Sequence, residues 1–350
     1  MRILIISPFE NVATRRGVRN LQLHEKLLSR GHDVTLVTGD FDHAKKDHIP
    51  IAKLSDGQNT KVIRVPGYKG NVSMKRMLCH LTFSFRCWAW ARKQQWDVVF
   101  VSSVPPEALV AATLLKKKAL VVDVRDIWPD ALQAYGRTSF ASRIFQAYCG
   151  LIYQRTLKYA DRIMIVAPGF REWLRRYMKP RPGQVKLVPL GFRREDFRPL
   201  SEGGNSFAFC YAGGATPQFD IREFKARFGQ ASGVVVGSGP LIKNWKNTFP
   251  NTEFRGSVSR EEAMSMMASS RQLLFPSNPF AQLPNKAFDY FALGHPVLLG
   301  ENCSRATKSL LALRHRRRAE GKPDHWKTYQ ALEKEAVTAR AATIIEELVQ

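Results

Sequence analysis

Residues 2–38, RILIISPFENVATRRGVRNLQLHEKLLSRGHDVTLVT, contain two apolar runs on either side of a loop and a helical pattern. The runs RILIIS and DVTLVT are short, continuous and rich in β-branched residues, as in strands of a buried parallel sheet. Between them, Leu21, Leu27 and Leu28 give residues 18–30 one apolar face at helical spacing. This strand–loop–helix–strand unit predicts a doubly wound α/β domain, in which ligands bind beyond the carboxyl ends of the strands.

Apolar runs of the same kind recur along the whole chain. They are DVVFVSS (97–103), ALVVDVRD (119–126) and QVKLVPLGF (184–192) in the first half, and SFAFCYAGG (206–214), GVVVGSGP (233–240) and QLLFPS (272–277) in the second. Residues 191–205 between the two sets are polar and rich in Gly and Arg, which is typical of a linker. We therefore predict one α/β domain over residues 1–190, a linker over 191–205, a second α/β domain over 206–325 and a terminal helix within 326–350.

The charge of the chain indicates an anionic partner. Lys and Arg total 54 against 30 Asp and Glu, a formal net charge of +24. Nucleic acid, an anionic membrane and phosphorylated substrates all fit this charge. The basic residues are spread along the chain and no helix-turn-helix, zinc module or RNP motif is present, so we expect no nucleic-acid partner. Five cysteines without metal-ligand spacing indicate free thiols in a reducing cytoplasm. No apolar run reaches the roughly 18 residues of a membrane span.

The stretch FPSNPFAQLPNKAFDYFALGHP, residues 275–296, combines an irregular loop with a short helical pattern. We expect Gly294 to end the helix in the left-handed conformation. A loop that runs into a helix start binds anions, because the first N–H groups and the positive end of the helix dipole face the loop. Lys286 adds a charge there, and Asp289, one turn on, is a carboxylate able to accept two sugar hydroxyls. The pair suits a nucleotide-sugar diphosphate, although an ordinary loop and helix with one exposed acid would read the same locally.

Residues 69–93 combine apolar, aromatic and basic side chains in one predicted helix. At helical spacing the apolar stripe consists of Met74, Met77, Leu78, Leu81, Phe85 and Trp88. Phe83 and Trp90 extend the apolar surface beyond this narrow, core-facing stripe. The basic residues elsewhere on the helix are Lys75, Arg76, Arg86 and Lys93. A cationic helix with aromatic residues favours the interface of an anionic bilayer; the alternative is a core-packed helix whose charges face water.

The stretch 275–296 resembles the donor-site segment of the retaining glycosyltransferases of family 4, which have the two-domain GT-B fold. In that family a Glu, seven residues and a second Glu precede a short helix that ends in Gly-x-Pro-Val. Asp289 stands at the second acid, Gly294-His295-Pro296-Val297 follows in register, and Ala281 replaces the first acid. The variant LPNKAFDY, residues 283–290, resembles the subgroup that acts in bacterial surface-polysaccharide assembly, to which lipopolysaccharide belongs.

The resemblance implies an α/β fold of two Rossmann-like doubly wound domains facing a cleft, with the terminal helix crossing back onto the first domain. The donor-binding residues that it implies are Gly213, Gly214, Gly237, Gly239, Pro240, Lys243, Arg255, Asn285, Lys286 and Asp289. Relatives usually carry a basic residue shortly after the first glycine pair, where this chain has Ala215-Thr216-Pro217-Gln218. Lys286 and loop amides would then have to neutralise the donor diphosphate.

On the acceptor side, the implied residues are Arg15, Arg16, Gly17, Arg125 and Asp126. The first three resemble the glycine-rich first loop of family 4, although a solvated basic loop would look the same. Arg125 and Asp126 stand in a D-x-R-D-x-W-P motif where relatives outside the subgroup have a His-Asp pair. We expect Asp126 to contact the acceptor and to assist proton transfer, while Asp123 and Trp128 could equally be structural.

The sequence as a whole therefore predicts a retaining glycosyltransferase that moves a sugar from a nucleotide-diphosphate donor to a lipid-linked or polysaccharide-precursor acceptor. We expect a bacterial, cytoplasmic protein, peripheral on the inner membrane face, with Lys286 and Asp126 as catalytic residues. No cofactor and no metal are expected. Two alternatives stay open: a GT-B sugar-nucleotide epimerase, and a non-catalytic cationic protein that binds membrane or nucleic acid.

Overall fold

Two parallel β-sheets form the centre of the molecule, one in each half of the chain. The computed structural model describes residues 1–13, 18–54, 59–70, 73–130, 140–197, 206–278, 282–320 and 329–349. The first half contains β1 (Arg2–Ile6), β2 (Asp33–Gly39), β3 (Phe41–Asp42), β4 (Asp47–His48), β5 (Thr60–Ile63), β6 (Trp96–Ser102), β7 (Lys117–Val124), β8 (Arg162–Ile165) and β9 (Val185–Leu187). The second half contains β10 (Phe209–Ala212), β11 (Gly233–Val236), β12 (Thr252–Gly256), β13 (Leu273–Phe275) and β14 (Val297–Leu299).

The helices of the described residues alternate with these strands, as the doubly wound prediction requires. The first half contains α1 (Arg19–Ser29), α2 (Met74–Ala91), α3 (Pro106–Leu114), α4 (Phe140–Thr156) and α5 (Phe170–Arg175). The second half contains α6 (Lys225–Phe228), α7 (Ile242–Thr248), α8 (Arg260–Ala268), α9 (Asn285–Leu293), α10 (Arg305–Glu320) and α11 (Lys334–Glu346). None of the helices in the described ranges is both long and apolar enough to cross a membrane.

The N-terminal sheet has seven strands in the order β5-β2-β1-β6-β7-β8-β9, all paired in parallel. The buried β1 is an interior strand, with Ile3 opposite Val34 on one side and Val98 on the other. The strand order reverses between β1 and β6, which is where an open α/β sheet binds its ligand. One face of the sheet packs against α1 and α11, and the other against α2, α3, α4 and α5.

The C-terminal sheet has five parallel strands in the order β12-β11-β10-β13-β14. Its order reverses between β10 and β13, so the loops after these two strands form the second ligand-binding edge. One side of the sheet carries an aromatic core around Phe209, Trp245 and Phe249, all fully buried. The fold is therefore α/β with two Rossmann-like domains, which confirms the predicted fold class.

The end of the chain returns to the N-terminal domain. Phe192 and Lys334 bring the two chain segments together, with the Phe192 N–H 3.1 Å from the Leu332 carbonyl and the Lys334 N–H 2.8 Å from the Phe192 carbonyl. From there α11 packs on α1 through buried apolar residues. The Glu346 carboxylate lies 2.6 Å from Arg30 and 2.8 Å from His32.

The orientation of α2 differs in part from the prediction. Arg76, expected on the helix surface, is only 9% exposed, and Phe83, expected to extend the apolar surface beyond the stripe, is buried. The helix turns Cys79, Phe83 and Cys87 toward the sheet, because these small and aromatic side chains fill the space above it. The stripe side instead faces outward, and four of its six apolar side chains are exposed: Met74, Leu78, Leu81 and Phe85.

Candidate active site

Two glycine loops touch at the carboxyl edge of the C-terminal sheet. Gly213 follows β10, and Gly237 and Gly239 follow β11. All three have φ between +134° and +155°. A Cβ on Gly237 would lie 1.9 Å from the Gly213 oxygen, and a Cβ on Gly239 would lie 2.3 Å from the Ala215 oxygen. Only glycine permits this approach, so these predicted donor residues shape the loops from which a donor would be bound.

Lys286 projects from the first turn of α9 toward the Gly213 loop. Its Nζ donates a hydrogen bond to the Tyr211 hydroxyl at 2.8 Å. The same Nζ lies 3.6 Å from the centre of the Phe219 ring and 4.3 Å from that of Tyr211. A Cβ on Gly213 would stand 3.1 Å from this ammonium. The aromatic rings and the bare glycine thus fix the position of the charge.

The electrostatic setting of Lys286 favours an anion. Burial lowers its pKa well below the ordinary value of a lysine. Among the described residues no carboxylate lies within salt-bridge distance of Nζ. The N-cap residue of α9, Pro284, supplies no side-chain hydrogen bond to the first N–H groups of the helix. A phosphate at this helix start would meet the ammonium and the helix N–H groups together.

Asp289 lies one turn further along α9 and is held by an arginine that the sequence analysis did not single out. The Arg260 guanidinium lies 2.8 Å from Oδ1 of Asp289, and its Nε lies 2.5 Å from Asp196. Arg260 is the first residue of α8, after the capping box of Ser259 and Glu262 that the sequence predicts. The carboxylate is therefore preorganised, and sugar hydroxyls would bind to it beside Arg260. Its ribose role stays a prediction.

The remaining predicted donor residues lie at the surface. Pro240, Lys243 and Asn285 are exposed, and Arg255 forms an exposed ion pair with Glu253. Gly214 is exposed at the tip of the loop after β10, and Gly294 ends α9 with φ +70° as expected. Ala281 lies outside the described residues. The structure thus brings Lys286 and the glycine loops together and leaves these other side chains at the rim.

Asp126 lies where the two domains meet. The Gln282 side-chain amide donates a hydrogen bond to its Oδ1 at 2.6 Å and accepts one from Gln218 at 2.9 Å. Burial raises the pKa of Asp126, although a backbone N–H and the charges of Arg76 and Arg125 oppose the rise. A carboxyl group with a raised pKa between two domains has the properties of an acid–base group. Gln282, which sequence reasoning did not single out, joins this group to the donor side.

Arg125, predicted beside Asp126 on the acceptor side, turns into the N-terminal domain. It pairs with Glu10, lies 3.4 Å from Asp123 and donates to the Ser102 hydroxyl at 3.0 Å. Asp123 is fully buried and accepts two hydrogen bonds from Arg19, at 3.0 and 3.1 Å. This buried ion network supports the strand end that carries Asp126, which gives Asp123 the structural role considered above.

The other predicted acceptor residues, Arg15, Arg16 and Gly17, lie outside the described residues. In their place the structure shows Arg76, from the start of α2, on the acceptor side. Its guanidinium carbon lies 4.9 Å from the Trp128 ring centre, and burial lowers its pKa. Within the described ranges, no three His, Cys, Asp or Glu side chains are grouped as metal ligands.

Two Rossmann-like domains that meet at the carboxyl edges of their sheets define the GT-B class of glycosyltransferases. The chain is similar in fold to sucrose-phosphate synthase from Thermosynechococcus elongatus, with a TM-score of 0.69, 16% identity and coverage of 99% of this chain and 98% of the other. It also matches the lipopolysaccharide outer core galactosyltransferase WaaB, with a TM-score of 0.61, 12% identity and coverage of 99% and 100%. A third match is Anabaena HepE in complex with UDP and glucose, with a TM-score of 0.56, 12% identity and coverage of 100% and 97%.

Sequence identifies the family more narrowly. The model of Glycosyltransferase Family 4 matches residues 17–196, just over half of the chain. The chain therefore belongs to Glycosyltransferase Family 4, and it is a glycosyltransferase. No curated protein matches its sequence significantly. The predicted family is thus confirmed by a match that lies outside residues 275–296, and the subgroup and the retaining mechanism stay predictions.

Proposed function

We propose that this glycosyltransferase transfers a sugar, with retention of configuration, from a nucleotide-diphosphate donor to a lipid-linked or polysaccharide-precursor acceptor. The observation that carries the proposal is the placement of Lys286. Its ammonium is held by aromatic rings at a helix start, without a carboxylate among its described neighbours. Gln282, four residues earlier, touches Asp126 of the other domain. A donor diphosphate at Lys286 would therefore lie close to the acceptor side.

In the proposed reaction, negative charge builds up on the donor diphosphate as the bond to the sugar breaks. Lys286 and the first N–H groups of α9 would stabilise that charge from fixed positions. Removal of one such preorganised donor typically costs about 3 to 4 kcal/mol of barrier. The glycines at 213 and 237 allow the phosphates to approach the backbone closely. This chemistry requires no metal ion, so we expect activity to persist in excess EDTA.

On the acceptor side, Asp126 would accept the proton of the attacking hydroxyl. Gln282 occupies Oδ1 of Asp126 in the ligand-free chain, so acceptor binding would replace this amide with a hydroxyl. A general base works best when its pKa lies near the operating pH, and burial moves the pKa of Asp126 in that direction. Asp289, steadied by Arg260, would bind the ribose hydroxyls of the donor.

A similar solved structure supports the donor class. HepE holds UDP and glucose, and we propose a nucleotide-diphosphate hexose for this chain as well. The products would be the nucleoside diphosphate and an acceptor extended by one sugar. A GT-B epimerase would instead interconvert nucleotide sugars without an acceptor. A non-catalytic binding protein would convert neither a nucleotide sugar nor an acceptor.

The outer surface of the helix layer supports action at a membrane. α2, α3 and α4 pack side by side, and large apolar side chains are exposed on all three: Met74, Leu78, Leu81, Phe85, Val110, Leu114, Phe140, Ile144 and Leu151. We call these nine residues the apolar face. The exposed charges described on the three helices are basic, and the acid of α3, Glu107, is buried. Apolar and basic groups together fit an anionic bilayer, so we propose peripheral attachment at the cytoplasmic side of the inner membrane.

Sugar transfer is the direct test of the catalytic proposal. Purified protein is incubated with a panel of nucleotide sugars, each labelled in the sugar, and a bacterial lipid extract. We expect label to enter the lipid fraction from one donor. Asp126→Asn and Lys286→Gln should each lower the rate at least about 100-fold, while Lys225→Gln, an exposed lysine on α6, should not. Conversion of the nucleotide sugar without lipid would identify the epimerase, and no turnover of any donor would contradict the proposal.

Vesicle flotation tests the membrane proposal. Each basic residue near an anionic surface contributes about 1 kcal/mol, so replacing Lys75, Arg86 and Lys93 with Gln should weaken binding to anionic vesicles roughly 100-fold. Phe85→Ser should weaken it through lost apolar contact. Leu187→Ser, which changes an exposed apolar residue outside the apolar face, is the control. Equal flotation of all variants would exclude α2 as the anchor.

A further inference from the structure

A basic cavity lies at the amino edge of the N-terminal sheet, and we call it the basic groove. It has a volume of about 520 Å³ and lies between α5, the start of β9 and the loop that joins them. Four cationic residues line it: Arg171, Arg175, Lys179 and Arg181. Because β7, β8 and β9 run in parallel, the start of β9 and the end of β7, which leads to Asp126, lie at opposite edges of the sheet. A ligand in the basic groove would therefore take no part in the sugar transfer.

The positive charge of the basic groove is not offset by its described neighbours. All four cations are exposed, and none of them forms a salt bridge with any residue that the structure describes. The next residue after α5, Arg176, does form one, at 3.1 Å from Asp130. Glu172, the acid of α5, is exposed and does not line the groove. An anion with more than one charge would therefore interact favourably with several of these cations at once.

The loop that carries Arg181 is held in place by hydrogen bonds. The Arg181 guanidinium donates to the Ala160 carbonyl at 3.0 Å, and the buried Gln184 side chain donates to the same carbonyl at 2.6 Å. The Gln184 side chain also accepts from the Arg181 N–H at 2.8 Å. Pro180 and Pro182 restrict the backbone on either side of Arg181. The guanidinium is therefore positioned before any ligand binds.

The other cations of the basic groove retain hydrogen-bonding capacity for a ligand. The Arg171 guanidinium donates to the Val185 carbonyl at 3.3 Å, and most of its five N–H groups remain for other acceptors. The side chains of Arg175 and Lys179 donate no hydrogen bond to a residue in the described ranges. Two guanidinium groups are thus held at the groove by backbone carbonyls, and two further cations lie beside them.

The lining of the basic groove favours a phosphate group. The planar guanidinium fork matches phosphate oxygens in bidentate fashion, and the lysine adds a point charge. None of the described lining residues is aromatic, so a nucleobase would have no ring on which to stack. The volume lies within the range of roughly 300 to 1,000 Å³ that is typical of small-molecule sites.

We propose that the basic groove binds the phosphate group of a ligand other than the two substrates. A phosphate ester would bind from solution. The headgroup of an anionic phospholipid would bind from a bilayer, because Arg181 contacts the segment directly after α4, the helix that carries Phe140, Ile144 and Leu151 of the apolar face. Both ligands present the same chemistry to the groove. The inference goes beyond the proposed function and holds for any donor and acceptor.

Calorimetric titration with glycerol 3-phosphate and with pyrophosphate tests the soluble source. The titration uses Lys286→Gln protein, so that the proposed donor site contributes little. In that background we expect Arg175→Gln and Arg181→Gln each to weaken binding roughly ten-fold, through the loss of a charge-assisted contact. Arg175→Lys keeps the charge without the fork and should give a smaller loss. The matched control is Arg155→Gln, an exposed arginine of α4 outside the groove, which should leave the affinity nearly unchanged.

Vesicle flotation with phosphatidylglycerol in phosphatidylcholine tests the lipid source. If the ligand is a lipid headgroup, Arg175→Gln and Arg181→Gln should weaken flotation more than Arg155→Gln does. A loss beyond that of the control in either assay supports the phosphate site, and the assay that shows it identifies the source. No loss in either assay, or losses equal to that of Arg155→Gln in both, would show at most diffuse attraction and would overturn the proposal.

Discussion

The charge of Lys286 is unfavourable for the stability of the ligand-free protein, whereas the proposed function requires it. Its charge is desolvated, and the Tyr211 hydroxyl and aromatic rings compensate for water only in part. We predict that Lys286→Met raises the free energy of unfolding of the ligand-free protein by about 1 kcal/mol, because the apolar side chain suits the aromatic surroundings. Urea unfolding measures the change. A loss of stability in this variant would show that the ammonium is satisfied without a ligand.

His80 provides a pH prediction at the same scale. Burial, followed by the charges of Arg76 and His43, lowers its pKa from 6.5 to about 3. Between pH 6.5 and about 3, His80 is therefore protonated in the unfolded chain and neutral in the folded chain. The contribution of His80 to stability is complete above pH 6.5 and is lost as the pH falls through this window. Between pH 7 and pH 5 the loss due to His80 is about 2 kcal/mol. His80→Gln, which can still accept from Arg76, should remove that part of the pH dependence in urea unfolding.

Sequence reasoning at the residue scale could place Lys286 in the first turn of a helix, because the helix start after Pro284 is visible in the local spacing. The donor role of Lys286 stays a prediction. The contacts of Arg76 and Arg260 could not be predicted, because an arginine on a helix of unknown orientation looks like any solvated charge. Their partners, Trp128 and Asp289, lie 52 and 29 positions away in the chain, and no local pattern encodes such pairs.

Among the elements, the two glycine loops after β10 and β11 make the sharpest prediction. An alanine at Gly237 would force its Cβ into the Gly213 carbonyl and strain a φ of +134°. We expect Gly237→Ala to cost about 3 kcal/mol of stability. Gly256→Ala is the control, since its φ is +66° with nothing near the added carbon, and it should cost only about 1 kcal/mol. Equal costs in thermal unfolding would show that the two loops do not touch.

α2 shows what helical periodicity can and cannot give. Spacing alone defined the stripe from Met74 to Trp88, and composition alone favoured a membrane interface. Neither could show which side faces the sheet, because Cys79, Phe83 and Cys87 form a second apolar side at the same spacing. The packing against the sheet decided that question and left the first side exposed, as the proposed attachment to a bilayer requires.

The whole molecule is joined by the return of its last helix to the first domain. Ile345 is fully buried in the core that α11 forms with α1 and the N-terminal sheet. We predict that Ile345→Ala costs about 3 kcal/mol and that the cost appears in the N-terminal domain. Hydrogen exchange should rise in β1 and β2 more than in β10 and β11, and Val235→Ala, in the C-terminal core, should give the opposite pattern. Identical patterns for the two variants would contradict this assignment.

At this scale the sequence predicted the fold class well, because each parallel strand is a continuous apolar run that is visible on its own. The contact between the domains could not be predicted from the sequence. Gln282 and Asp126 are 156 positions apart, and nothing in the local chemistry of a glutamine marks it as a bridge. Family resemblance supplied the candidate residues on both sides of the predicted site, whereas the contact between them depends on how the two domains pack.

The most direct test of the account is thermal stabilisation by nucleotide sugars, compared between the wild-type protein and Lys286→Gln. A ligand present at 100 times its dissociation constant adds about 2.7 kcal/mol of stability. We predict that one nucleotide-diphosphate sugar raises the melting temperature of the wild-type protein and that Lys286→Gln largely abolishes the rise. A panel that stabilises neither protein, or one that stabilises both equally, would contradict a donor diphosphate bound at the start of α9.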